Sequence, residues 1–257
     1  MAAFETYRDR FEHVVLEREG GVLLMRMHSG GEELKWGAAP GAEIGRCFAE
    51  IAQDPDNEIV ILTGTRQAFC DSIDYRPLRG EARTYPAKWS SGRSGLTMLD
   101  QMMAISCPMI AAVNGPARVH SELAVLCDIV LASPQALFQD IPHFPAGLVP
   151  GDGVHVIWPM LLGPNRGRYF LLTGQEILAE EALGLGIVNE VVAADQLIER
   201  ARALAALLMV QPKLVRHHTR RLLMRQIRRA MFDELEFGLM SEHHAWTARG
   251  PVTDLWP

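Results

Sequence analysis

The stretch that decides the fold is AAVNGPARVHSELAVLCDIVLAS, Ala111–Ser133. It opens inside Met109–Val113, a continuous apolar run that stops at Asn114–Gly115, and it closes on a second such run, Ile129–Ala132. Short apolar runs bounded by turn residues read as strands buried on both faces. Working backwards, Ile59–Thr63 is a third run of this kind and ends at Gly64. Helical spacing of apolar residues over 42–51 and 95–103 separates these runs, so strand and helix alternate as in parallel βαβ units with right-handed crossovers. Further back, 11–16 and 22–27 are β-prone and flank Arg18–Gly21, which predicts an opening hairpin. Working forwards, the pattern turns helical at Val154–Leu162, 166–172, 180–185, 196–209, 212–229 and 230–246. The segment 80–95 is polar, rich in Gly, Ser and Arg, and reads as a mobile loop.

Composition agrees with a packed globule. The chain has 257 residues, 48% apolar and 22% charged, with a net charge of −6. That balance argues against nucleic acid or an anionic membrane as the main partner of the surface. No apolar run approaches the ~20 residues of a membrane span, and the charged N-terminus is unlike a secretory signal. Four scattered cysteines without CxxC spacing read as buried free thiols, which together with these features predicts a cytoplasmic protein.

The Ala111–Ser133 stretch, together with Phe138 and Pro142–Gly153, ILTG at Ile61–Gly64, AFCDSID at Ala68–Asp74 and LTGQEILAEEALGLGIVNEVV at Leu172–Val192, resembles the crotonase, or enoyl-CoA hydratase/isomerase, superfamily. The likeness spans nearly the whole chain. It implies an α/β fold made of a spiral of ββα units, with a core over residues 1–195 and a helical region over 196–257 that closes the site and makes trimer contacts. A homotrimer or dimer of trimers is implied as well.

Departures from the superfamily's pattern carry the functional reading. Bulky residues stand at Cys70–Ile73 and Arg118–Ser121, where CoA-dependent members have small residues that let backbone N–H groups approach a thioester oxygen. Glu122 matches the first hydratase glutamate, but the second is replaced by His143 in Pro142–His143. Trp36, His120, the segment His143–His155, Asn165–Glu176 and Glu242 look like the 6-oxocamphor hydrolase branch, which cleaves β-diketones. That branch implies His143 and Asp152 as an acid–base pair, His120 and Glu242 as further catalytic groups, and a pocket lined by Trp36, Asp71, Val119 and Glu122, with backbone N–H groups near Asp71 and Val119, where the superfamily builds its oxyanion hole, as candidate donors to an anion. It implies a small-molecule diketone substrate, with no cofactor, metal, nucleic acid or membrane.

Each residue also has a plainer reading. Imidazole titrates near neutrality, so His143 in its proline-rigidified loop suits proton transfer, yet a lone histidine is more often structural. Asp152 directly precedes an apolar helix and would serve as its N-cap. Glu122 would complement a helix dipole, Trp36 would pack, and Glu242 would be a solvated surface acid. Two other functions stay open: an enoyl-CoA hydratase or isomerase acting through Glu122, and an RNA-binding crotonase relative using the basic run Arg216–Arg229. In that run Val215, Leu222, Leu223 and Ile227 form an apolar stripe, so a packing helix is the simpler expectation.

Overall fold

In a computed structural model, residues 3–74 and 96–248 are described; the whole of the 80–95 segment read above as a mobile loop lies outside them. After a 3-10 turn at Phe4–Thr6, strands β1 (Val14–Glu19) and β2 (Val22–Met27) form the expected antiparallel hairpin. Parallel strands β4 (Ile59–Thr63), β6 (Met109–Val113), β7 (Ile129–Ala132) and β10 (Glu190–Val191) extend it into a six-stranded sheet of order β1-β2-β4-β6-β7-β10.

Strands β4 and β6 are buried at every residue because both faces of the sheet are covered. Val60, Leu62, Met109, Ala111 and Val113 point into the main core. Their neighbours Ile59, Ile61, Ile110 and Ala112 point the other way, onto Leu197, Ala201 and Ala205 of helix α7 (Leu197–Met209). Each fully buried aliphatic side chain of this kind contributes roughly 1.5–3 kcal/mol. The near-continuous apolar runs in the sequence are the signature of this two-sided burial.

Beside the main sheet runs a second, broken layer of short strands. In it β3 (Lys35–Trp36) pairs with β5 (Ser72–Ile73), Cys70 bridges Ala117, Ala117 bridges Phe138, and β8 (Leu137–Phe138) pairs with β9 (Ile177–Leu178). Each main strand is thus followed by a piece of the second layer and then a helix: α1 (Ala38–Gln53) after β3, α2 (96–104) after β5, and α3 (Glu122–Val125) after Ala117. This is the expected ββα spiral. Gly64 and Gly115 sit where the layers cross. A Cβ would stand 2.0 Å from the Ala68 carbonyl oxygen at Gly64, and 1.7 Å from that of Gln67 at Gly115. Only glycine fits these crossings.

The remaining helices are α4 (Val154–Leu162), α5 (Pro164–Thr173), α6 (Ala179–Gly184), α8 (Lys213–Leu223) and α9 (Arg225–Ala248). The break at Met224 falls inside the run expected as one helix over 212–229. The expectation for its faces is also corrected: Leu222 and Leu223 are 69% and 67% exposed, while Arg216 and Arg220 are buried. Arg220 donates to the Cys107 carbonyl at 2.9 Å and pairs with Asp128 at 3.2 Å, and Arg216 pairs with Glu58. Burial of a guanidinium requires such partners, and here they lie at the strand ends beneath α8. Only Ile227 of the apolar stripe packs against the core. The four cysteines are buried free thiols, and among the described residues no helix is long and apolar enough to cross a membrane.

Candidate active site

Three chain segments and the last helix converge on one buried cluster. From β6 the chain passes through Ala117 and reaches His120, whose φ of 49° lies in the left-handed region. Non-glycine residues pay about 1–3 kcal/mol there, and histidine tolerates it better than branched residues. This backbone turns the imidazole onto Trp36 of β3, with ring centroids 3.8 Å apart and a 40° tilt. Its Nδ1 lies 2.6 Å from Glu122 Oε1 at the start of α3.

The second segment follows β8 and carries Asp140 and His143. The His143 carbonyl accepts the N–H groups of Ala146 and Leu148, both at 2.9 Å, which ties down the loop around the 3-10 turn Phe144–Ala146. Its Nδ1 lies 2.6 Å from Asp140 Oδ1. A carboxylate oxygen can only accept, so Nδ1 carries the proton and Nε2 faces the cluster.

Asp152, just before α4, stands between the two histidines, its Oδ2 being 3.4 Å from His143 Nε2 and 3.4 Å from His120 Nδ1. Glu242 of α9 completes the group, with Oε2 at 3.9 Å from His143 Nε2. The approach of α9 depends on Gly151, where a Cβ would stand 2.1 Å from the Gly238 carbonyl oxygen and 2.9 Å from Glu242 Cβ. The small residue before Asp152 is therefore what lets Glu242 in.

The electrostatics follow from burial and crowding. Burial alone would push the His143 imidazole down, but Asp140, Asp152 and Glu242 carry it well above its ordinary value. For His120 burial acts in the same downward sense, and Glu122 and Asp152 outweigh it. Asp152 is held below the usual carboxylate range: burial opposes ionisation, and His143, His120, His155 and the Val154 N–H overcome it. Burial raises Glu122, helped by Asp152 and opposed by His120. Glu242 is pushed up to about 7, first by burial, then by Asp152 and Asp140, against the two histidines. Carboxyl groups with separated affinities beside two imidazoles are the material of acid–base chemistry. Four buried oxygens, Glu122 Oε2, Asp140 Oδ2, Asp152 Oδ1 and Glu242 Oε2, have no hydrogen-bond partner among the described residues.

Of the residues singled out in the sequence, Trp36, His120, Glu122, His143, Asp152 and Glu242 meet here. Asp71 and Val119 are engaged elsewhere: the Asp71 carboxylate takes Arg118 at 2.7 Å, Arg118 also reaches Glu176 at 3.1 Å, and the Val119 N–H donates to the Cys70 carbonyl at 3.1 Å. Sequence reasoning missed Asp140, which precedes His143 by three residues, a spacing that looks no different from any loop acid. His120, Glu122 and Asp152 bring ligand atoms within 4.8 Å of one another, close enough to hold a metal ion. Yet the 2.6 Å between His120 Nδ1 and Glu122 is a hydrogen-bond spacing. Two ligands on a tetrahedral zinc ion sit ~3.3 Å apart, so this pair fits a proton better than a cation.

A ββα spiral that buries imidazoles and carboxylates between its second strand layer and its last helix defines the class. The chain belongs to the enoyl-CoA hydratase/isomerase family, whose profile matches residues 17–248, within the crotonase superfamily. Among its relatives, a β-diketone hydrolase from the cyanobacterium Anabaena sp. PCC 7120, solved with bound (S)-3-oxocyclohexyl acetic acid, is 38% identical, with 95% of this chain and 97% of that one covered at a TM-score of 0.92. An enoyl-CoA hydratase/isomerase from Mycobacterium paratuberculosis is 25% identical, with 92% and 94% covered and a TM-score of 0.85. Carnitinyl-CoA dehydratase of Proteus mirabilis is 34% identical over 165 residues, 63% of this chain, and the match spans 62% of that relative's length.

Proposed function

We propose that this protein hydrolyses a carbon–carbon bond of a cyclic β-diketone, a retro-Claisen cleavage that yields a keto acid. The observation that carries this reading is the acid–base chain Asp140–His143–Asp152, buried beside Glu242 and facing His120 and Trp36. The likeness to a β-diketone hydrolase that binds a cyclic keto acid supports it.

In the working form His143 is neutral, with Nδ1–H donated to Asp140 and its Nε2 open. That nitrogen takes a proton from water as the water oxygen bonds to one carbonyl carbon. The tetrahedral adduct collapses by breaking the bond to the carbon between the two carbonyls, and the second carbonyl receives the electron pair as an enolate. A simple ketone offers no such sink. The His143 imidazolium or the Glu242 carboxyl then returns a proton to that carbon. Trp36 has one polar function, its indole N–H, and His120, whose hold on a proton Glu122 and Asp152 strengthen against the effect of burial, offers an N–H on the same side. Both suit a carbonyl oxygen that gains charge, and removing one such donor typically costs ~10²–10³ in rate. Water is the only co-reactant this scheme needs.

A second reading, the hydration or isomerisation of an enoyl-CoA through Glu122, is favoured by the carnitinyl-CoA dehydratase likeness. It asks more of this chain, because Glu122 is fully buried and tied to His120, and the Val119 N–H is committed to Cys70. RNA binding through the basic run has less support, since Arg216 and Arg220 are spent on internal partners. We also propose a homotrimer or dimer of trimers. The outward Leu214, Leu222, Leu223, Phe232 and Phe237 of α8 and α9 support that assembly, and sedimentation would test it.

The deciding assay incubates purified protein, without CoA, with a panel of cyclic 1,3-diketones and with crotonyl-CoA. Keto-acid formation from a diketone is expected. Turnover of crotonyl-CoA alone would overturn the proposal.

A further inference from the structure

Resting on the base role given to His143 above, we infer that Asp140 is the positioning residue of that histidine, leaving Asp152 on the proton-transfer side. The geometry separates the two carboxylates. Asp140 Oδ1 is 2.6 Å from Nδ1, the nitrogen turned away from the cluster, whereas Asp152 Oδ2 is 3.4 Å from Nε2, the nitrogen turned towards it. The first distance is that of a strong charge-assisted hydrogen bond and the second is not. Asp152 is also shared, lying equally far from His120, so it cannot serve one imidazole alone.

Asp140 is 2% exposed and its Oδ2 has no partner among the described residues. A buried carboxylate kept with half its acceptors unused is costly to the fold. The cost is explained if the group has one task, to accept the hydrogen bond from Nδ1–H and so present Nε2 as the proton-accepting atom. An acid behind an imidazole plays this part in hydrolytic triads, where its amide replacement leaves the geometry intact but favours the wrong tautomer. Ile141 and Pro142 between the two residues shorten the span and stiffen it, and the Ile141 N–H is tied to the Arg118 carbonyl at 3.3 Å.

His143 is faced by Asp140 from its own loop, Asp152 from the turn before α4, Glu242 from α9 and His120 from the turn before α3. Loss of one negative charge from this set lowers the pH at which His143 gives up its proton. Asp140→Asn should therefore reduce kcat ~10²–10⁴-fold with KM little changed, and should move the ascending limb of kcat/KM to lower pH. Asp140→Glu should recover part of the rate.

A readout independent of turnover is the proton NMR signal of the His143 ring N–H in the intact protein, identified by its loss in His143→Gln. A proton in so short a bond to a carboxylate resonates far downfield. It should persist in Asp152→Asn and be lost or moved upfield in Asp140→Asn. An unmoved limb together with an unmoved signal in Asp140→Asn would overturn the inference, and so would loss of the signal in Asp152→Asn alone. If the wild type cleaves no diketone, the proposed reaction fails, and the ring proton still decides the role of Asp140.

Discussion

His143 and His120 each present Nδ1 to a carboxylate at 2.6 Å, yet one is fastened in a loop by its own carbonyl while the other sits in left-handed backbone beneath an indole ring. Asp152 lies 3.4 Å from both. What separates them is what remains free: Nε2 of His143 looks towards Asp152 and Glu242, two groups that exchange protons, and His120 lies against Trp36, a group that can only donate. The same side chain held by the same kind of partner is thus set to different work by its surroundings, proton transfer on one side and carbonyl recognition on the other.

Removing one histidine at a time is the strongest way to break that comparison. His143→Ala should lower kcat by ~10²–10⁴ and abolish the ascending limb of the pH profile. His120→Ala should lower the height of the profile and keep its limb. Measuring kcat/KM against pH for both variants checks this, and the reverse pattern would mean that the base is His120. In the wild type the limb should lie above the ordinary imidazole value, because the carboxylates hold the proton on His143. Asp152→Asn touches both sides at once. It should reduce turnover about as strongly as His143→Ala and bring the limb down in pH, whereas unchanged activity would reduce Asp152 to a helix-start residue.

Glu242→Gln should lower kcat on the order of 10²-fold and carry a second signature in stability. Because the folded-state pKa of Glu242 is raised to about 7, its contribution is fully present below the ordinary carboxyl value and is lost as pH rises through 7. Glutamine stays neutral throughout. The Tm of the variant relative to wild type should therefore climb between those two pH values and level off above, and a flat difference would refute the buried-acid assignment.

Smaller effects test the recognition side. Trp36→Phe keeps the bulk and deletes the N–H, so it should cost rate without lowering Tm. His120→Gly should be more stable than His120→Ala by about 1 kcal/mol, since glycine alone enters the left-handed region freely. Equal stabilities by urea unfolding would contradict the strain assigned to His120.

How much of this was legible in the sequence depended on where each signal's partner lay. Strands β4, β6 and β7 were readable to the residue because two-sided burial makes them apolar throughout. Helix α8 was not, because its periodicity revealed an apolar face without saying what that face meets. Two of its arginines, Arg216 and Arg220, turn inward to carbonyls and acids distant in the chain, and its leucines turn out. In the site, Trp36, His120, His143, Asp152 and Glu242 were found through resemblance, since they lie up to 206 positions apart in the chain and no local pattern links them. Asp140 carried neither signal, and only the fold, by aiming it at His143, makes it visible.

The most direct test of the central claim is cleavage of a cyclic 1,3-diketone in ¹⁸O-labelled water, without CoA, followed by mass spectrometry of the product. The account predicts one labelled oxygen in the carboxylate of a keto acid made by the wild type, and only background product with His143→Ala. Undiminished product with His143→Ala, or turnover of crotonyl-CoA with no diketone cleaved, would contradict it.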